Sequence, residues 1–498
     1  MAHRFLILAT LFLCGLVIMG LELLGFRLLA VYFGYSNYVF GSHIGVVMAV
    51  LAAGYWLGGR WVDRAPRPVV FFRAVLLADA WLWLMAGLYP YLLRAVQTWP
   101  IVIGTMAASI ALFGPAMLLL SMAGPFAIRL LAIEGAIGTT AGQIYALSTV
   151  GSLVGTFATS FWAIPTLGSR FTFLALTALI GLPAAAGLWR GRARRSLALL
   201  AAAAGLLVPP PPLGPKVLAH VESAYSDLSI VETSDGLQLS VGVWMSSFLA
   251  REGILSPGYY YDYLAVLPAL TEPRSVLILG MGGGTTVRQY REAFPEAVID
   301  AVEIDPAVVD LAARHFGVES GERIRIHVGD ARPFLARAAR RWDVIQVDLF
   351  QHGPHVPFYT VTREFFGLVR DHLAPGGLMI MNVLAPFGDR VLLDPIARTI
   401  GEVFPALFHV PRPHNTLVAA FPEPVALETV RERLRTRAPA ALRQVAEPTA
   451  RALEVLRPLP GAPVLTDDWA PVEPLQHGML QRFKSQYEFW ERLGAIKR

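Results

Sequence analysis

Hydrophobic positions follow two patterns, and the change between them falls near residue 210. Before it, uninterrupted apolar runs recur with the length of a membrane-spanning helix, about 20 residues. After it, short apolar runs alternate with amphipathic stretches, which is typical of a folded α/β domain. The membrane-length runs lie at about 5–32, 39–59, 69–93, 101–123, 141–164 and 170–189. The sequence therefore predicts a helical membrane domain followed by a globular one.

Domain boundaries follow from these changes of pattern. Residues 1–208 form the predicted membrane domain, with six spans and a shorter Ala- and Leu-rich run, Leu197 to Val208. That run is short for a bilayer span and predicts an interfacial or partly inserted helix, although whether it spans stays open. A proline-rich linker is expected at 209–216. Beyond it we expect a small β-sheet domain at 217–272 and a Rossmann-like catalytic domain at 273–498.

Positive charges predict the orientation. Arginines cluster at the ends of the apolar runs, and with six spans most of them fall on one side, which the positive-inside rule assigns to the cytoplasm. Six spans put the N-terminus and the globular domain in the cytoplasm, beside the supply of nucleotide cofactors, whereas seven would put that domain outside. The expected location is thus the inner or plasma membrane, with the catalytic domain cytoplasmic. The clustered arginines are Arg4, Arg60, Arg64, Arg67, Arg129, Arg190, Arg192, Arg194 and Arg195.

Polar residues inside the predicted spans need an explanation. Glu22 and Arg27 share the first span, and ionisable residues at membrane depth are functional candidates. They are predicted either to contact substrate or to form a structural ion pair, with Arg27 also able to extend towards the headgroups. In the fifth span, small residues recur at 148, 151, 152 and 155 and predict a face for close helix packing. The single cysteine, Cys14, excludes a disulfide framework and a thiolate metal site.

The globular half alternates strands and helices. Strands are predicted at 275–280, 298–303, 323–328, 343–348 and 377–384, the last preceded by a turn at 373–377. Such alternation predicts a parallel, doubly wound sheet. Alternating apolar positions at 217–250 predict a small antiparallel sheet ahead of it.

Candidate site residues follow these strands, where ligands of parallel sheets bind. The first strand runs into a glycine-rich turn and a helix, an arrangement suited to a nucleotide. The second ends in an acid that suits two ribose hydroxyls, the third in an acid that suits an adenine amino group, and the fourth in an acid facing the crevice. Together these strand ends predict a nucleoside site: Gly280, Gly282, Gly283, Gly284, Glu303, Asp330 and Asp348.

With these motifs the sequence resembles the spermidine synthases, which are aminopropyltransferases on a class I methyltransferase-type fold. It is most similar to the membrane-fused members of that family, and the resemblance covers about residues 220–385. It implies transfer of an aminopropyl-type group from decarboxylated S-adenosylmethionine, or from S-adenosylmethionine, to an amine, with release of methylthioadenosine and without a metal. It also implies a small amine or lipid substrate, contact with membrane lipids, no nucleic acid, and a homodimer as one option.

The resemblance assigns roles residue by residue. Glu303 corresponds to the acid that holds the donor ribose, and Asp330 to the acid beside the adenine. Asp348 corresponds to the first acid of the family's D-x-x-D motif, which faces the attacking amine, and is predicted to be catalytic together with Tyr260. The predicted substrate contacts are Tyr261, which stands where the family has histidine, Asp262, Gln351 and Tyr359.

Three departures from the family pattern bear on specificity. Gly283 stands where the family has the aspartate that holds the ammonium of the decarboxylated donor, so discrimination against a donor carboxylate is missing. Gln351 replaces the second acid of D-x-x-D, and Ser226 replaces a glutamine. Recognition of a diamine is weakened. Asp262 or the Asp467-Asp468 pair could compensate, although that pair is equally explained as a helix cap.

Two alternatives stay open at this stage. The acceptor could be a membrane lipid headgroup, which would explain the fused membrane domain and the missing acids. The chain could instead be a transporter or sensor whose globular domain binds the nucleoside without turnover. Six spans are few for a complete transporter of the major-facilitator type.

Overall fold

A computed structural model describes residues 2–34, 36–132, 136–188, 216–242, 244–256, 259–351 and 354–492. The predicted interfacial helix at 197–208 and all but the last residue of the predicted linker lie outside these ranges. The chain divides into two compact units. The first is Met1–Gly214 with Glu222–Ala224, and the second is Pro215–Val221 with Tyr225–Arg498.

The first unit is helical. Its described helices are α1 (Ala2–Phe33), α2 (Asn37–Arg64), α3 (Pro68–Val96), α4 (Ile101–Ser121), α5 (Ala123–Leu131), α6 (Ile137–Ala158) and α7 (Ile164–Gly187). Within the described ranges, five helical stretches are long and apolar enough to cross a membrane. They are Arg4–Phe33, Asn37–Arg64, Pro68–Val96, Ile101–Leu131 and Ile137–Gly187.

The last of these stretches is 51 residues long and folds back on itself. Its backbone leaves the helical region at Gly168, where φ is 73° and ψ is 170°. A Cβ placed on Gly20 would lie 2.9 Å from both Thr159 and Leu176. In one continuous helix those two residues would be about 25 Å apart, at 1.5 Å per residue. The stretch therefore forms two arms, at about 137–167 and 169–187, with the break inside α7. They overlap the fifth and sixth predicted spans.

The small residues of α6 form the predicted packing face. A Cβ on Gly151 would collide with the carbonyl oxygen of Phe12, and one on Gly155 with that of Leu16, so the backbones of α1 and α6 approach closely. The Ser152 hydroxyl also donates a hydrogen bond to the Gly15 carbonyl at 3.3 Å. This confirms the packing role predicted from the spacing.

The two ionisable residues of α1 have different environments. Glu22 is only 8% exposed, and its Oε2 atom has no hydrogen-bond partner among the described residues. Arg27 forms an ion pair with Glu222 of the same unit at 3.0 Å. Neither residue lines the cavity described below. Arg27 is thus paired with Glu222 and not with Glu22, and substrate contact by Glu22 and Arg27 stays a prediction.

The second unit contains two sheets. The smaller has four strands in the order β1-β2-β3-β4, and β3 pairs antiparallel with both β2 and β4, as predicted. The larger has eight strands in the order β12-β10-β11-β9-β8-β5-β6-β7. Bounds of the smaller sheet are β1 (Val217–Glu222), β2 (Asp227–Glu232), β3 (Gly236–Val241) and β4 (Trp244–Ala250). Those of the larger are β5 (Ser275–Leu279), β6 (Val298–Glu303), β7 (Ile324–Val328), β8 (Trp342–Val347), β9 (Leu373–Leu384), β10 (Ala406–Pro411), β11 (Asn415–Phe421) and β12 (Glu454–Val455).

The large sheet corrects the expectation of a wholly parallel sheet. The five predicted strands do pair in parallel, β9-β8-β5-β6-β7. Three further strands continue it on the β9 side in antiparallel pairing. A parallel pair needs a crossover, whereas β10 and β11 are joined by the three residues 412–414, a hairpin length. The result is a mixed sheet.

A second correction concerns β9, which begins at Leu373 rather than after the predicted turn at 373–377. Pairing with β8 shifts between Trp342↔Leu373 and Val344↔Leu378, so three extra residues bulge out of β9. Gly376, at φ 72°, accommodates the bend. The glycines thus mark a bulge inside the strand.

Helices cover the large sheet on both faces. On β5, Val276 and Ile278 belong to one buried apolar cluster, while Leu277 and Leu279 belong to another. This alternation is expected for a central strand buried on both sides. The described helices are α8 (Tyr261–Val266), α9 (Thr285–Ala293), α10 (Pro306–Leu311), α11 (Ala331–Arg337), α12 (Arg363–Asp371), α13 (Leu393–Gly401), α14 (Leu427–Arg437), α15 (Arg443–Ala452) and α16 (Val472–Arg492).

Candidate active site

A cavity of about 610 Å³ lies at the carboxyl ends of the parallel strands, where β5 is flanked by β6 and β8. Chain order reverses at this point of the sheet, which is where open α/β sheets bind ligands. The cavity is lined by residues of the second unit alone. Predicted site residues that line it are Tyr260, Tyr261, Gly280, Gly282, Glu303, Asp330, Asp348, Gln351 and Tyr359.

The glycine-rich turn between β5 and α9 needs its glycines for two reasons. Gly280, Gly282 and Gly284 have φ values of 89°, 54° and 81°, in the left-handed region that favours glycine. A Cβ on Gly280 would also collide with the carbonyl oxygen of Asp348. The turn therefore presents bare backbone to the cavity and lets a ligand approach closely, which fits a nucleoside.

Glu303 ends β6 beside this turn. Its Oε2 accepts a hydrogen bond from the Gly282 N–H at 2.9 Å, and its Oε1 accepts one from the Asp305 N–H at 3.1 Å. Burial raises the pKa of the carboxyl group, while these backbone donors lower it. The carboxylate is thus fixed in one orientation at the rim of the turn, with further lone pairs available to ligand hydroxyls.

Asp330 follows β7 and caps α11. Its Oδ1 accepts from the Arg332 N–H at 2.9 Å, and its Oδ2 accepts from the Tyr359 hydroxyl at 2.9 Å. Burial and the charge of Asp330 raise the pKa of Tyr359 to about 12, so the phenol stays a donor at neutral pH. The pair closes the wall of the cavity next to the β7 end.

Asp348 follows β8 at the centre of the cavity. Its Oδ2 accepts from the Tyr260 hydroxyl at 3.0 Å, and its Oδ1 accepts from the Asn382 amide at 2.9 Å. Burial raises the pKa of Asp348 to about 6, although both hydrogen bonds oppose the rise. A carboxylate with a pKa near neutrality and a fixed orientation is suited to accept a proton from a substrate.

Two tyrosines whose rings contact each other at a tilt support this carboxylate. The rings of Tyr260 and Tyr261 lie 4.2 Å apart, and the Tyr261 hydroxyl donates to the Ser246 carbonyl at 2.9 Å. Burial and the charge of Asp348 raise the pKa of Tyr260 well above its ordinary value. Tyr260 therefore remains a hydrogen-bond donor to Asp348.

Comparison with known proteins identifies the family of the chain. A spermine/spermidine synthase domain model matches residues 259–420. A probable polyamine aminopropyl transferase of Bifidobacterium longum is 37% identical over 187 residues, which is 37% of this chain and 41% of that protein. The polyamine aminopropyltransferase of Vibrio vulnificus is 30% identical over 238 residues, 44% of this chain and 76% of that protein. The chain belongs to the polyamine aminopropyltransferase family.

A further relative lies among methyltransferases. The eEF1A lysine and N-terminal methyltransferase of Bos taurus is 31% identical over 149 residues, 28% of this chain and 21% of that protein. The chain thus spans less than half of the Bifidobacterium longum relative, about three quarters of the Vibrio vulnificus one and a fifth of the methyltransferase. These matches confirm that the chain is a member of a transferase family with a methyltransferase-like α/β fold.

This aminopropyltransferase-family chain departs from the pattern at Gly283, and the structure shows what takes the space. The Gly283 N–H donates to the Ser247 hydroxyl at 2.7 Å. A Cβ on Gly283 would lie 2.9 Å from the Ser247 Cβ and 3.3 Å from the Phe316 ring. An aspartate at 283 would therefore require Ser247 to move.

Neither candidate compensating acid is directed into the cavity. Asp262 is buried, accepts from the Ser256 N–H at 2.7 Å and from the Gln289 amide at 2.8 Å, and does not line the cavity. Asp467 forms an ion pair with Arg332 and accepts from the Thr362 hydroxyl at 2.7 Å. The carboxylate of Asp262 ties the segment before α8 to α9, and substrate contact by Asp262 stays a prediction.

Three further residues of the site were not predicted from the sequence. Asn382, near the end of β9, donates to Asp348 and accepts from the Asn415 amide at 2.9 Å. Its signal was present, since it is the one polar residue within the apolar run 378–384. Asn415 and Arg412, which also line the cavity, gave no such signal because they lie at the β10–β11 hairpin.

The hydrogen bond from Tyr260 predicts a shift in the pH dependence of the reaction. The bond stabilises the charged form of Asp348, so Tyr260→Phe is expected to raise the pKa of Asp348 above about 6. If the carboxylate is the active form, activity rises with pH through that pKa, and the acidic limb of kcat/KM moves to higher pH in the variant. Measuring kcat/KM as a function of pH for the wild type and the variant checks this. Tyr225→Phe, at a tyrosine elsewhere on the cavity wall, should leave the limb in place, and an unchanged limb in Tyr260→Phe would contradict the assignment.

Proposed function

We propose that this chain is an aminopropyltransferase that moves an aminopropyl group from decarboxylated S-adenosylmethionine to an amine and releases methylthioadenosine. The observation that carries the proposal is Asp348, held between Tyr260 and Asn382 with a pKa of about 6 at the centre of the cavity. Its position relative to the glycine turn matches the chemistry of a nucleophile that must lose a proton next to a bound nucleoside.

The donor half of the cavity supports this proposal. Gly280 and Gly282 leave the turn open to the adenosine, Glu303 is placed for the ribose hydroxyls, and Asp330 for the adenine edge. The sulfonium donor is already activated, so alignment and proton transfer are what this chain supplies. No metal is needed for that chemistry.

In the proposed step the amine nitrogen attacks the aminopropyl carbon beside the sulfonium sulfur. A C–N bond forms, the C–S bond breaks, and its electron pair returns to sulfur to give the neutral thioether. Asp348 accepts the proton released from the nitrogen, directly or through a water, and Tyr260 keeps the carboxylate oriented. Atoms and charges balance with the carboxylate protonated at the end of the step.

S-adenosylmethionine is the second candidate donor. The absence of an acid at Gly283, with Ser247 in its space, leaves the turn without the negative charge that rejects a donor carboxylate. Relatedness to a methyltransferase fits the same option. A lipid headgroup is the second candidate acceptor, favoured by the five apolar helices of the first unit.

The direct test is release of methylthioadenosine by the purified full-length chain in detergent micelles. Each donor is supplied in turn with amines or with a membrane lipid extract, and the product is quantified by mass spectrometry. We expect release with decarboxylated S-adenosylmethionine at least tenfold above protein-free controls. Recovery of the transferred group in the lipid fraction would identify a lipid as the acceptor. If methylthioadenosine raises the melting temperature but neither donor is consumed with any acceptor, the chain is a nucleoside sensor instead.

A further inference from the structure

We propose that the acceptor amine also carries an anionic group, and that Arg412 binds that group at the end of the cavity away from the glycine turn. This rests on the proposed transferase function and specifies its substrate class. An amino acid, a phosphorylated amino alcohol and an ethanolamine headgroup share this chemistry, whereas a diamine lacks it. The inference stands on the charges of the acceptor half of the cavity.

Carboxylates that would bind a second ammonium are missing there. Gln351, which stands where the resemblance implies the second acid of D-x-x-D, lines the cavity and is uncharged, as is Ser226. Asp262 and Asp467 are engaged with Gln289 and Arg332. Among the described residues that line the cavity, the acids are Glu303, Asp305, Asp330 and Asp348. Glu303, Asp305 and Asp330 lie at the donor side, so Asp348 is the acid left to face an amine.

A cation lies in that half instead. Arg412 lines the cavity, and its guanidinium stacks on the Tyr263 ring with 3.7 Å between Cζ and the ring centroid. No ion pair or side-chain hydrogen bond of Arg412 is found within the described part of the chain. Stacking occupies the face of the guanidinium and leaves its N–H edge for an anion, to which it can donate two parallel hydrogen bonds.

The backbone holds Arg412 in place. Residues 412–414 connect β10 and β11, and the Arg412 N–H donates to the Asn415 carbonyl at 2.7 Å. The segment after β9 fixes the same turn, because the N–H groups of Ala385 and Phe387 donate to the carbonyls of His414 and Pro413. The cation is therefore presented by a hairpin bonded on both sides.

A chain of amides joins this turn to the proposed base. Asn415 donates to Asn382 at 2.9 Å, and Asn382 donates to Asp348 at 2.9 Å. One substrate can thus place its amine at Asp348 and its anion at Arg412 along the same wall. His414 also lines the wall, and burial lowers its pKa, so it adds no charge at neutral pH. A diamine in this orientation would bring its second ammonium towards Arg412, which costs binding energy.

The experiment compares acceptors of matched length. Methylthioadenosine release is measured with 4-aminobutyrate, O-phosphoethanolamine and putrescine as free acceptors, and with vesicles of phosphatidylethanolamine against vesicles of phosphatidylcholine alone. We expect kcat/KM for one of the amine–anion acceptors to exceed that for putrescine at least tenfold. Activity with the free compounds assigns a soluble acceptor, and activity confined to phosphatidylethanolamine vesicles assigns a lipid one.

Charge reversal isolates the role of Arg412. Arg412→Glu is expected to lower kcat/KM for the amine–anion acceptor at least tenfold and to raise it for putrescine. Arg451→Glu makes the same change at a 75% exposed side chain on α15 and should alter neither. Transfer to putrescine that is preferred in the wild type and unaffected by Arg412→Glu would overturn the inference and leave the transferase function intact.

A binding measurement decides the case in which no acceptor is turned over. The protein is saturated with methylthioadenosine, and binding of 4-aminobutyrate, O-phosphoethanolamine and putrescine is measured by calorimetry. Amine–anion binding that Arg412→Glu abolishes supports the inference even though the proposed transfer fails. Binding of putrescine alone overturns it.

Discussion

Asp348→Asn is expected to lower kcat/KM for methylthioadenosine release by about 10²–10⁴-fold, the range contributed by a positioned general base. The amide cannot accept the proton that the attacking nitrogen loses. Asparagine has the same shape as aspartate, and the hydrogen-bond partners of Asp348 can also bind the amide. The Oδ1 atom still accepts from Asn382, and the new Nδ2 donates to Tyr260 if that hydroxyl rotates. The loss should therefore appear in turnover, with folding and nucleoside binding retained.

The measurement pairs turnover with binding. Initial rates are followed by mass spectrometry, and methylthioadenosine binding by the shift in melting temperature, which should match the wild type. Asp371→Asn is the matched control, because that side chain is 63% exposed and pairs with Arg370. Wild-type turnover in Asp348→Asn would exclude Asp348 as the base. A lost thermal shift would instead assign it to donor binding.

The part of the site around the glycine turn could be predicted from the sequence because it depends on the order of strands along the chain. Each of Gly280, Glu303 and Asp348 comes at or directly after a strand. Parallel strands in one sheet bring their carboxyl ends to one edge, so residues separated along the chain meet there without knowledge of side-chain contacts. Alternation of apolar strands and amphipathic helices was enough to place them.

The part of the site near the β10–β11 hairpin could not be predicted in this way. Arg412 and Asn415 reach the cavity because β10 and β11 add antiparallel strands beside β9, and short apolar strands near the end of the chain did not reveal that pairing. The hydrogen-bond partners of the acids could not be predicted for a related reason. Asp262 is a carboxylate in the expected segment, but Gln289 and a backbone N–H already bind it. Which hydrogen-bond donors bind a buried carboxylate depends on tertiary packing.

In the helical unit, too, some features could be predicted from the sequence and others could not. Apolar runs predicted the six segments, and the small residues of α6 predicted its contact with α1. The fold-back at Gly168 joins the last two segments into one stretch of 51 residues. A glycine between two apolar runs is compatible with a continuous helix and with a reversal. The contacts of Gly20 with both arms are what distinguish them.

Glu303→Gln is expected to raise the donor KM by about 10- to 100-fold while kcat changes little. A hydrogen bond to a charged group contributes about 1.5–3 kcal/mol, which corresponds to that range of affinity. Backbone N–H groups face both oxygens, from Gly282 on Oε2 and from Asp305 on Oε1. A glutamine turns its own N–H₂ towards one of them in either orientation. The variant therefore loses a bond to the turn as well as an acceptor for the ribose.

The split between KM and kcat separates this role from that of Asp348. If Glu303 binds the part of the donor that does not react, as proposed, its loss weakens binding of the ground state and of the transition state equally. Donor saturation curves and the thermal shift with methylthioadenosine should both move in Glu303→Gln. Glu322→Gln, at an exposed position before β7, should leave both unchanged. A fall in kcat at saturating donor, with KM unaltered, would place Glu303 in the chemical step and require a different arrangement of donor and acceptor along the β5, β6 and β8 ends.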